Sequence, residues 1–431
     1  MRRFCFLAMA LAAIGYSTEI QASPSNAFGL DAPNTARAMT VTAAAPPVSA
    51  ASTNPALLIN LEPDSIEMLA NFVVSSDNLK INDEDPNLDT YLGYQLELAA
   101  SLPLGSFRDR LFIGATAHLP NDGLYHTHTP TLEEPIIYRY GTDARHFSVD
   151  AALAVRIWER IAIGAGVHLS PTTKGNAHIS FANHKESSST DIEVKTKFAP
   201  IIGIYAEPIQ NLHLGLVYRG ASKFSMDIMA DIFINDAIGY IHSQMKSYAF
   251  IEPHALSFGI RYDFSSISSN KLARFAVSTD FEWMHYDSPI ATTSQVWLYD
   301  DGGETINDPD TNYDKFGEGF SYRIALDWIP LDELTVSVGY GFWNSPIPAQ
   351  RKAFNVLDSG FSEIAFGASY WLPQNTLGSF DLGFATSTKI DILQKREMEK
   401  YEYLPDNPGF PYISFGGYNF TWHFAVMMRF K

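Results

Sequence analysis

Several short clusters in this 431-residue chain carry residue types able to hold a metal ion or run a reaction. Asp83-Glu84-Asp85-Pro86-Asn87-Leu88-Asp89 and Asp308-Pro309-Asp310-Thr311-Asn312-Tyr313-Asp314 share an Asp-x-Asp-x-Asn-x-Asp spacing, whose alternate oxygens suit Ca²⁺. Both lack the glycine at position six and the glutamate at position twelve of a calcium-binding helix-loop-helix, so solvated acidic loop tips are the favoured reading. His126-Thr127-His128, with His118 nearby, supplies two imidazoles but no third ligand at a fixed spacing, and a surface role is favoured. There is no Gly-x-Ser-x-Gly elbow, and isolated Ser, His and Asp residues on strands define no mutual geometry. No catalytic residue, metal site or cofactor is expected, and the chain is not read as an enzyme.

The more telling polar residues are spread along the chain at regular intervals. Glu97, Asp150, Arg156, Arg219, Arg261, Asp263, Asp280, Glu282, Arg323 and Asp327 each alternate with apolar neighbours. Such charges either pair with one another in a polar interior or present an arginine to a ligand carboxylate; sequence leaves both readings open. What positions them is a period of two, the strand period. Phe147, Val149, Ala151, Leu153, Val155 and Ile157 fall on one face, and Ser148, Asp150, Ala152, Ala154 and Arg156 on the other. Leu256, Phe258, Ile260 and Tyr262 repeat the pattern, as do Leu334, Val336, Val338, Tyr340 and Phe342. Connections alternate between short (near 103–108, 158–160, 208–211, 264–270, 330–333 and 372–378) and long (near 76–92, 121–145, 171–191, 221–249, 288–317, 344–359 and 388–416). An even strand number with short turns at one end and long loops at the other predicts a transmembrane antiparallel β-barrel of about fourteen strands over residues 65–431.

Composition agrees with an exported barrel. Arg2 and Arg3, an apolar run from Phe4 to Gly15, and Ile20-Gln21-Ala22 before Ser23 read as a signal peptide over 1–22. The one cysteine, Cys5, lies inside it, so no disulfide or thiolate ligand is expected beyond it. No later stretch approaches the roughly 20 apolar residues of a spanning helix. The formal charge of −18 excludes nucleic acid as a partner. Trp158, Trp328 and Trp371 sit beside short turns, where an interfacial aromatic girdle would lie. Gly114, Gly164, Gly166, Gly215, Gly259, Gly339, Gly341, Gly367 and Gly383 all fall opposite the apolar face, which either eases curvature or leaves room inside. The last strand alternates Tyr418, Phe420, Trp422, Phe424, Val426, Met428 and Phe430 with polar or small residues. It resembles the signal by which the barrel assembly machinery recognises its clients, with one extra residue, Lys431.

Residues 23–64 do not alternate. They are small and apolar rather than charged, unlike a floppy tail, and a plug in the lumen explains them better. Ala36-Arg37-Ala38 followed by Asn54-Pro55-Ala56, ahead of fourteen alternating strands, resembles the FadL/TodX-like family of outer-membrane transporters for long-chain fatty acids and aromatic hydrocarbons. Tyr218-Arg219-Gly220, and Gly339-Tyr340 followed by Ser345-Pro346, are further echoes. The chain departs from the family where Met39-Thr40-Val41-Thr42-Ala43 replaces a Gly-rich run and where Pro46-Pro47 replaces an acidic pair.

The resemblance implies an N-terminal hatch over 23–64, carrying Arg37, Ala38, Asn54, Pro55 and Ala56. It also implies passive uptake of hydrophobic small molecules across a bacterial outer membrane. Ligand would settle first in an apolar groove among the long loops, for which Phe224, Met226, Met229, Ile232 and Phe233 are the candidates, then pass to a site above the hatch. It would leave sideways near the third strand, which ends at Leu119-Pro120, where proline cannot donate to a ladder. Expected partners are the hydrophobic ligand, outer-membrane lipid and lipopolysaccharide, and the assembly machinery. The alternatives are a barrel of this kind that binds or guides a secreted protein, and a general porin.

Overall fold

The computed structural model describes residues 27–430 apart from 103–108, 122, 124–134, 142–144, 183–184, 236–238, 265–273, 287–294, 301–304, 308–314, 351–355, 374–379 and 401–409. The expected signal peptide, Cys5, His126, His128 and the acidic run at 308–314 lie outside the described residues.

After a helical turn α1 (Ala32–Thr35) and two 3₁₀ turns, η1 (Pro47–Ser49) and η2 (Pro55–Asn60), the described chain is strand throughout. In order come β1 (Ile66–Ile81), β2 (Tyr91–Ser101), β3 (Leu111–Pro120), β4 (Ile136–Ile137), β5 (Ser148–Trp158), β6 (Ile161–Ala182) and β7 (Lys185–Ile209). Then follow β8 (Leu212–Arg219), β9 (Ser222–Asn235), β10 (Gly239–Glu252), β11 (His254–Asp263), β12 (Phe275–His285), β13 (Gln295–Asp300) and β14 (Thr305–Asn307). The last are β15 (Gly319–Trp328), β16 (Leu334–Trp343), β17 (Val356–Leu357), β18 (Phe361–Trp371), β19 (Phe380–Glu399) and β20 (Tyr412–Phe430).

Among the described residues, fourteen of these strands form one closed antiparallel wall. β1, β2, β3 and β5 to β8 pair in turn, β8 joins β11, and β12, β15, β16, β18, β19 and β20 complete the circuit. β20 then returns to β1, from Ile66↔Phe430 to Ile81↔Phe415, so the sheet has no edge at the seam. Closure lets the wall's backbone groups pair within the sheet, which a strand in hydrocarbon requires.

The burial pattern is inverted relative to a water-soluble sheet. On β15, Phe320, Tyr322, Ile324, Leu326 and Trp328 are exposed, while Ser321, Arg323, Ala325 and Asp327 are buried. β2 does the same, with Leu92, Tyr94, Leu96 and Leu98 outward and Gln95 and Glu97 inward. Leaving a large apolar side chain in water forfeits about 1.5–3 kcal/mol, so a band of them is built for lipid. Trp158 and Trp328 join this face, but Trp371 does not. It turns inward, half-buried, with the Arg429 guanidinium over its ring at 4.9 Å. It therefore braces the lumen rather than the girdle.

The short links fall where expected, as at 159–160, 210–211 and 329–333. Several expected long loops are instead strands. β6 and β7 stay paired from Ile161↔Ala206 to Ala182↔Lys185, through 171–191, and β19 with β20 runs on to Glu399↔Tyr412. Beyond the bilayer both faces meet water, so the alternation in hydropathy stops although the hydrogen-bond ladder continues. Within 221–249, also expected as a loop, Ser222–Asn235 pairs with Gly239–Glu252 as antiparallel strands β9 and β10. β9 runs parallel to β6, pairing Met226–Phe233 with Thr173–Ser180 on the edge that β5 leaves at Leu169. To reach it β9 passes across β7 on the inward side, where Gly220 N donates to Pro200 O at 2.8 Å and the Ser170 and Ser222 hydroxyls meet at 2.7 Å.

The loop end is closed by an apolar core. β4 and β17 pair in parallel, packing Ile136, Ile137, Tyr138, Val356 and Leu357 with Phe28, Tyr286, Phe316, Trp343 and Phe361. Arg139 is buried there on Asp358 at 2.9 Å, with the Phe361 ring 5.0 Å from its guanidinium carbon. Tyr138 and Tyr286 share a hydrogen bond at 2.9 Å, one hydroxyl donating and the other accepting, and burial pushes the Tyr286 phenol up to about 12, so it stays neutral.

One outcome tests the wall directly. Ile324→Arg, at the middle of an outward face, should cost about 2–4 kcal/mol in reversible folding into lipid vesicles. A urea titration showing no loss would mean that this face does not meet hydrocarbon.

Candidate functional site

Residues 27–61 are buried almost throughout, against the inward side chains of the wall. Their sequence explains the local turns. Asp31 caps α1, its Oδ1 accepting from Asn34 N at 2.8 Å, with Pro33 at a position that needs no N–H. Asn54 caps η2 in the same way: Oδ1 accepts from Ala56 N at 3.1 Å and Pro55 presets the first turn. The Asn54 amide also reaches out, donating to Thr42 O at 2.7 Å and Ile204 O at 3.2 Å. Ala56 is fully buried against β6, where a Cβ on Gly164 would lie 2.4 Å from the Ala56 nitrogen. Asn-Pro-Ala thus combines a cap, a preset φ and a side chain small enough for the wall.

Inward glycines mark where the segment presses. A Cβ on Gly215 would come within 2.0 Å of Thr42 O, and one on Gly339 within 2.4 Å of the Arg37 carbonyl carbon. Room for this segment, rather than strand curvature alone, accounts for these positions. Opposite Gly339 the chain turns sharply, with Ala38 and Met39 at φ of 50° and 58°. Left-handed conformations cost about 1–2 kcal/mol per non-glycine residue, and the surrounding contacts hold them in place. Met39 O accepts from Arg323 Nη1 at 3.0 Å.

The inward charges are spent on the segment and on each other. Arg37 Nε donates to Asp327 Oδ1 at 2.8 Å, Arg261 meets the other oxygen, and Ser337 adds a hydrogen bond at 2.6 Å. Asp280 Oδ2 accepts from Val41 N, Thr42 N and Thr42 Oγ1, each at 2.8 Å. Arg156 and Arg219 donate to Ile59 O and Ser52 O. Ser49 Oγ sits 2.6 Å from Asp31 Oδ2 and 2.7 Å from Glu97 Oε2. One hydroxyl hydrogen cannot serve both, so a proton held by the Asp31–Glu97 pair completes the contact, while Asp31 Oδ2 also accepts from Asn34 Nδ2 at 2.6 Å.

Cavities lie on both sides of the segment. Toward the loops, a cavity of about 110 Å³ is lined by Leu30, Met39, Gln95, His168, Arg219 and Met284, among others. Toward the short turns, about 160 Å³ lies beside Arg37, Trp371 and Arg429, and about 200 Å³ beside Arg37, Tyr205 and Arg261. In the upper cavity His168 stands between Asp150 at 2.9 Å and Glu252 at 3.2 Å, joining β6, β5 and the end of β10. Among the described residues no group of three or more acidic, His or Cys side chains is arranged to hold a metal ion. Asp85 in the first acidic run instead accepts from Asn87 N at 2.8 Å and Lys80 Nζ at 3.3 Å.

No protein-family model and no curated protein sequence matches the chain. Solved structures do. A Pseudomonas aeruginosa FadL homologue superposes with a TM-score of 0.58 over 96% of this chain and 99% of that one, at 12% identity. The Ralstonia pickettii toluene transporter TbuX gives 0.55 over 94% and 100%, at 13% identity. The P. putida toluene transporter TodX gives 0.53 over 96% and 99%, also at 13%. The chain has the FadL-like barrel fold. Within that fold, Ala38, Asn54, Pro55 and Ala56 are buried against the inward side of the wall, and Arg37 is part-buried there on Asp327.

The remaining candidate positions are more scattered. On β9, Met229 is exposed, Ile232 is buried and Phe233 is half-buried with the Tyr240 ring 5.1 Å away. The side chains of Phe224 and Met226 lie outside the described residues. Leu119 and Pro120 pair with Tyr94 and Gly93 on β2 but extend past the last β5 pair, His118↔Ser148. Sequence reasoning missed Gln95, His168 and Glu252 in the upper cavity, and Arg139 with Asp358 in the mouth. Ile136-Ile137-Tyr138 was the available signal, an apolar run inside an otherwise polar connection.

Two results follow. Arg37 is the sole Lys or Arg between 27 and 61, so trypsin cleavage there reports release of the segment. Gly164→Leu should raise that cleavage rate by roughly tenfold or more through local opening; an unchanged rate would show that Gly164 does not seat Ala56. Because the buried Asp31–Glu97 pair holds a proton in the folded state, its contribution to docking is present at low pH and lost as that proton leaves with rising pH. Cleavage should therefore accelerate with pH beyond trypsin's own profile, and Asp31→Asn should abolish the acceleration. A variant with the same pH dependence as wild type would assign it elsewhere.

Proposed function

We propose that the protein is a passive outer-membrane transporter for hydrophobic small molecules such as long-chain fatty acids or hydrocarbons, exported through a signal peptide over 1–22. The observation that carries this reading is a lipid-facing barrel whose lumen is occupied by its own buried residues 27–61, with small cavities above and below them. A water-filled porin would leave that space open. Residues 23–64 act as the hatch: Arg37 on Asp327 and the Asn54-Pro55-Ala56 cap hold it against the wall. The toluene transporters TbuX and TodX and the CymD monoaromatic hydrocarbon channel, which share the fold, support uptake rather than catalysis.

Each buried methylene gains about 0.8 kcal/mol, so modest apolar surface suffices to capture such ligands. The exposed side of β9 at Met229 and Phe233 is the first contact in this reading, with Ile232 backing it from the opposite, buried face and Phe224 and Met226 proposed as further members of the groove. Ligand then passes to the cavity above the hatch and leaves the wall beside Leu119 and Pro120, where β5 no longer covers β3. Outer-membrane lipid and lipopolysaccharide surround the wall, and the alternating strand ending at Phe430 is the contact for the assembly machinery.

In planar bilayers the intact protein should show no large steady ion current, whereas deletion of residues 27–61 should produce one. A large steady current from the intact protein would favour an open porin instead. Phe233→Asp should reduce binding of a labelled fatty acid to the purified barrel several-fold; unchanged binding would move the capture surface away from β9.

A further inference from the structure

The apolar core at the mouth is built from two parts of the chain that the wall otherwise keeps apart. One is a lid of loop residues, Ile136–Tyr140 together with 344–350 and 356–359. The β4–β17 pair joins them, Tyr138 N donates to Leu357 O at 3.0 Å, and Arg139 is sealed on Asp358. The other part is the start of the luminal segment. Ala27 and Phe28 are buried in the same cluster as Tyr138, Tyr140, Trp343 and Phe361. The segment therefore begins among the loops, and it is only at Arg37 that it meets Asp327 and the cavities toward the short turns.

Phe28 is held between the wall and the lid. Its ring stacks on Tyr91 of β2 with centroids 4.0 Å apart, and meets Tyr140 of the lid edge-on at 6.5 Å. Tyr140 in turn donates to Asp391 Oδ2 on β19 at 3.1 Å. Phe28 O accepts from His423 Nε2 at 2.9 Å. Gly29 follows at a φ of 84°, and a Cβ there would lie 2.5 Å from Thr35 Oγ1. A glycine turns the chain at that point without steric cost. Phe28 is thereby left in the loop core while Asp31 begins the hydrogen-bonded part of the segment.

Lifting the lid would take away one of the two rings that hold Phe28 and expose its apolar surface to water. Withdrawing Phe28 would leave a hole beneath Tyr140, which a close-packed core resists. Each closure thus stabilises the other through one shared contact. We infer that the two closures are coupled: displacement of the lid and release of the luminal segment favour each other, and the Phe28–Tyr140 contact transmits the effect. Such coupling is reciprocal, and the packed element common to both closures is its physical basis. The inference goes beyond uptake, since it concerns how the two barriers move and needs no ligand.

A disulfide across the lid tests it. Ile137 and Leu357 are partners in register, and neighbouring strands lie about 4.8 Å apart, a Cα separation that a disulfide spans. Both positions are changed to cysteine in the full barrel, held in lipid nanodiscs, and trypsin cleavage at Arg37 is followed by mass spectrometry. Cleavage of the oxidised form should be slower by about fivefold or more than after reduction and removal of the reductant. Tyr140→Ala should speed cleavage by a similar factor, and a Phe28→Ala background should cancel both effects. Heat-modifiable gel migration checks that each variant is folded. Equal rates for the oxidised and reduced forms would overturn the inference, as would a Tyr140→Ala effect that Phe28→Ala leaves undiminished. Should the cysteine pair fail to fold or to oxidise, the Tyr140→Ala and Phe28→Ala comparison decides alone. No solute enters these measurements, so the transport reading stands or falls separately.

Discussion

A strand wall surrounded by hydrocarbon leaves its polar side chains a single place to go, and the space they enclose must then be filled or flooded. Here it is filled by the chain itself. Asp280, Asp327, Arg156, Arg219 and Arg323 would be expensive in a dry lumen without partners, and each finds one on residues 37–59. Dependence runs in both directions. The segment has too little apolar surface of its own to fold alone, and its capped turns hold their shape because inward glycines let the backbone approach the wall. Ala38 and Met39, in conformations glycine would adopt more cheaply, are further signs that contact with the wall, not local preference, sets the path.

That mutual requirement explains how far the sequence could be read. The wall was legible because a strand with lipid on one side and a lumen on the other must alternate, as β15 and β20 do residue by residue. The Asn54-Pro55-Ala56 cap was legible as a short motif. The extended arms of β6, β7, β19 and β20 were not, since their ladders continue into water where hydropathy no longer alternates. Trp371 was misplaced for a related reason: proximity to a turn fixes depth, but the face follows from parity, and its odd position on β18 points inward with Glu363 and Ala365. The grouping of Gln95, His168 and Glu252 depends on β9 passing across β7, a topology that no local pattern announces.

Two closures, of different chemistry, bound the upper cavity. Below it lies the small-residue segment, anchored by charge-assisted hydrogen bonds. Above it lies the apolar core around Tyr138, Trp343 and Phe361, with Arg139 sealed against Asp358. In the transport reading proposed above, a solute would meet the apolar layer first and the hydrogen-bonded segment second, an order that favours a small molecule with a large apolar surface over bulk water and ions.

The most direct measurement of the central claim uses the chain's shortage of thiols, since Cys5 is its one cysteine. Thr116 Oγ1 donates to Ser52 Oγ across 3.4 Å between the wall and the segment, so sulfurs placed at these two positions would lie side by side. With Ser52→Cys and Thr116→Cys together, the account predicts that protein from intact cells carries the disulfide without added oxidant, seen as altered non-reducing migration and absence of thiol labelling. Two freely labelled thiols in a correctly folded barrel would mean that the segment does not occupy the lumen, and would contradict it.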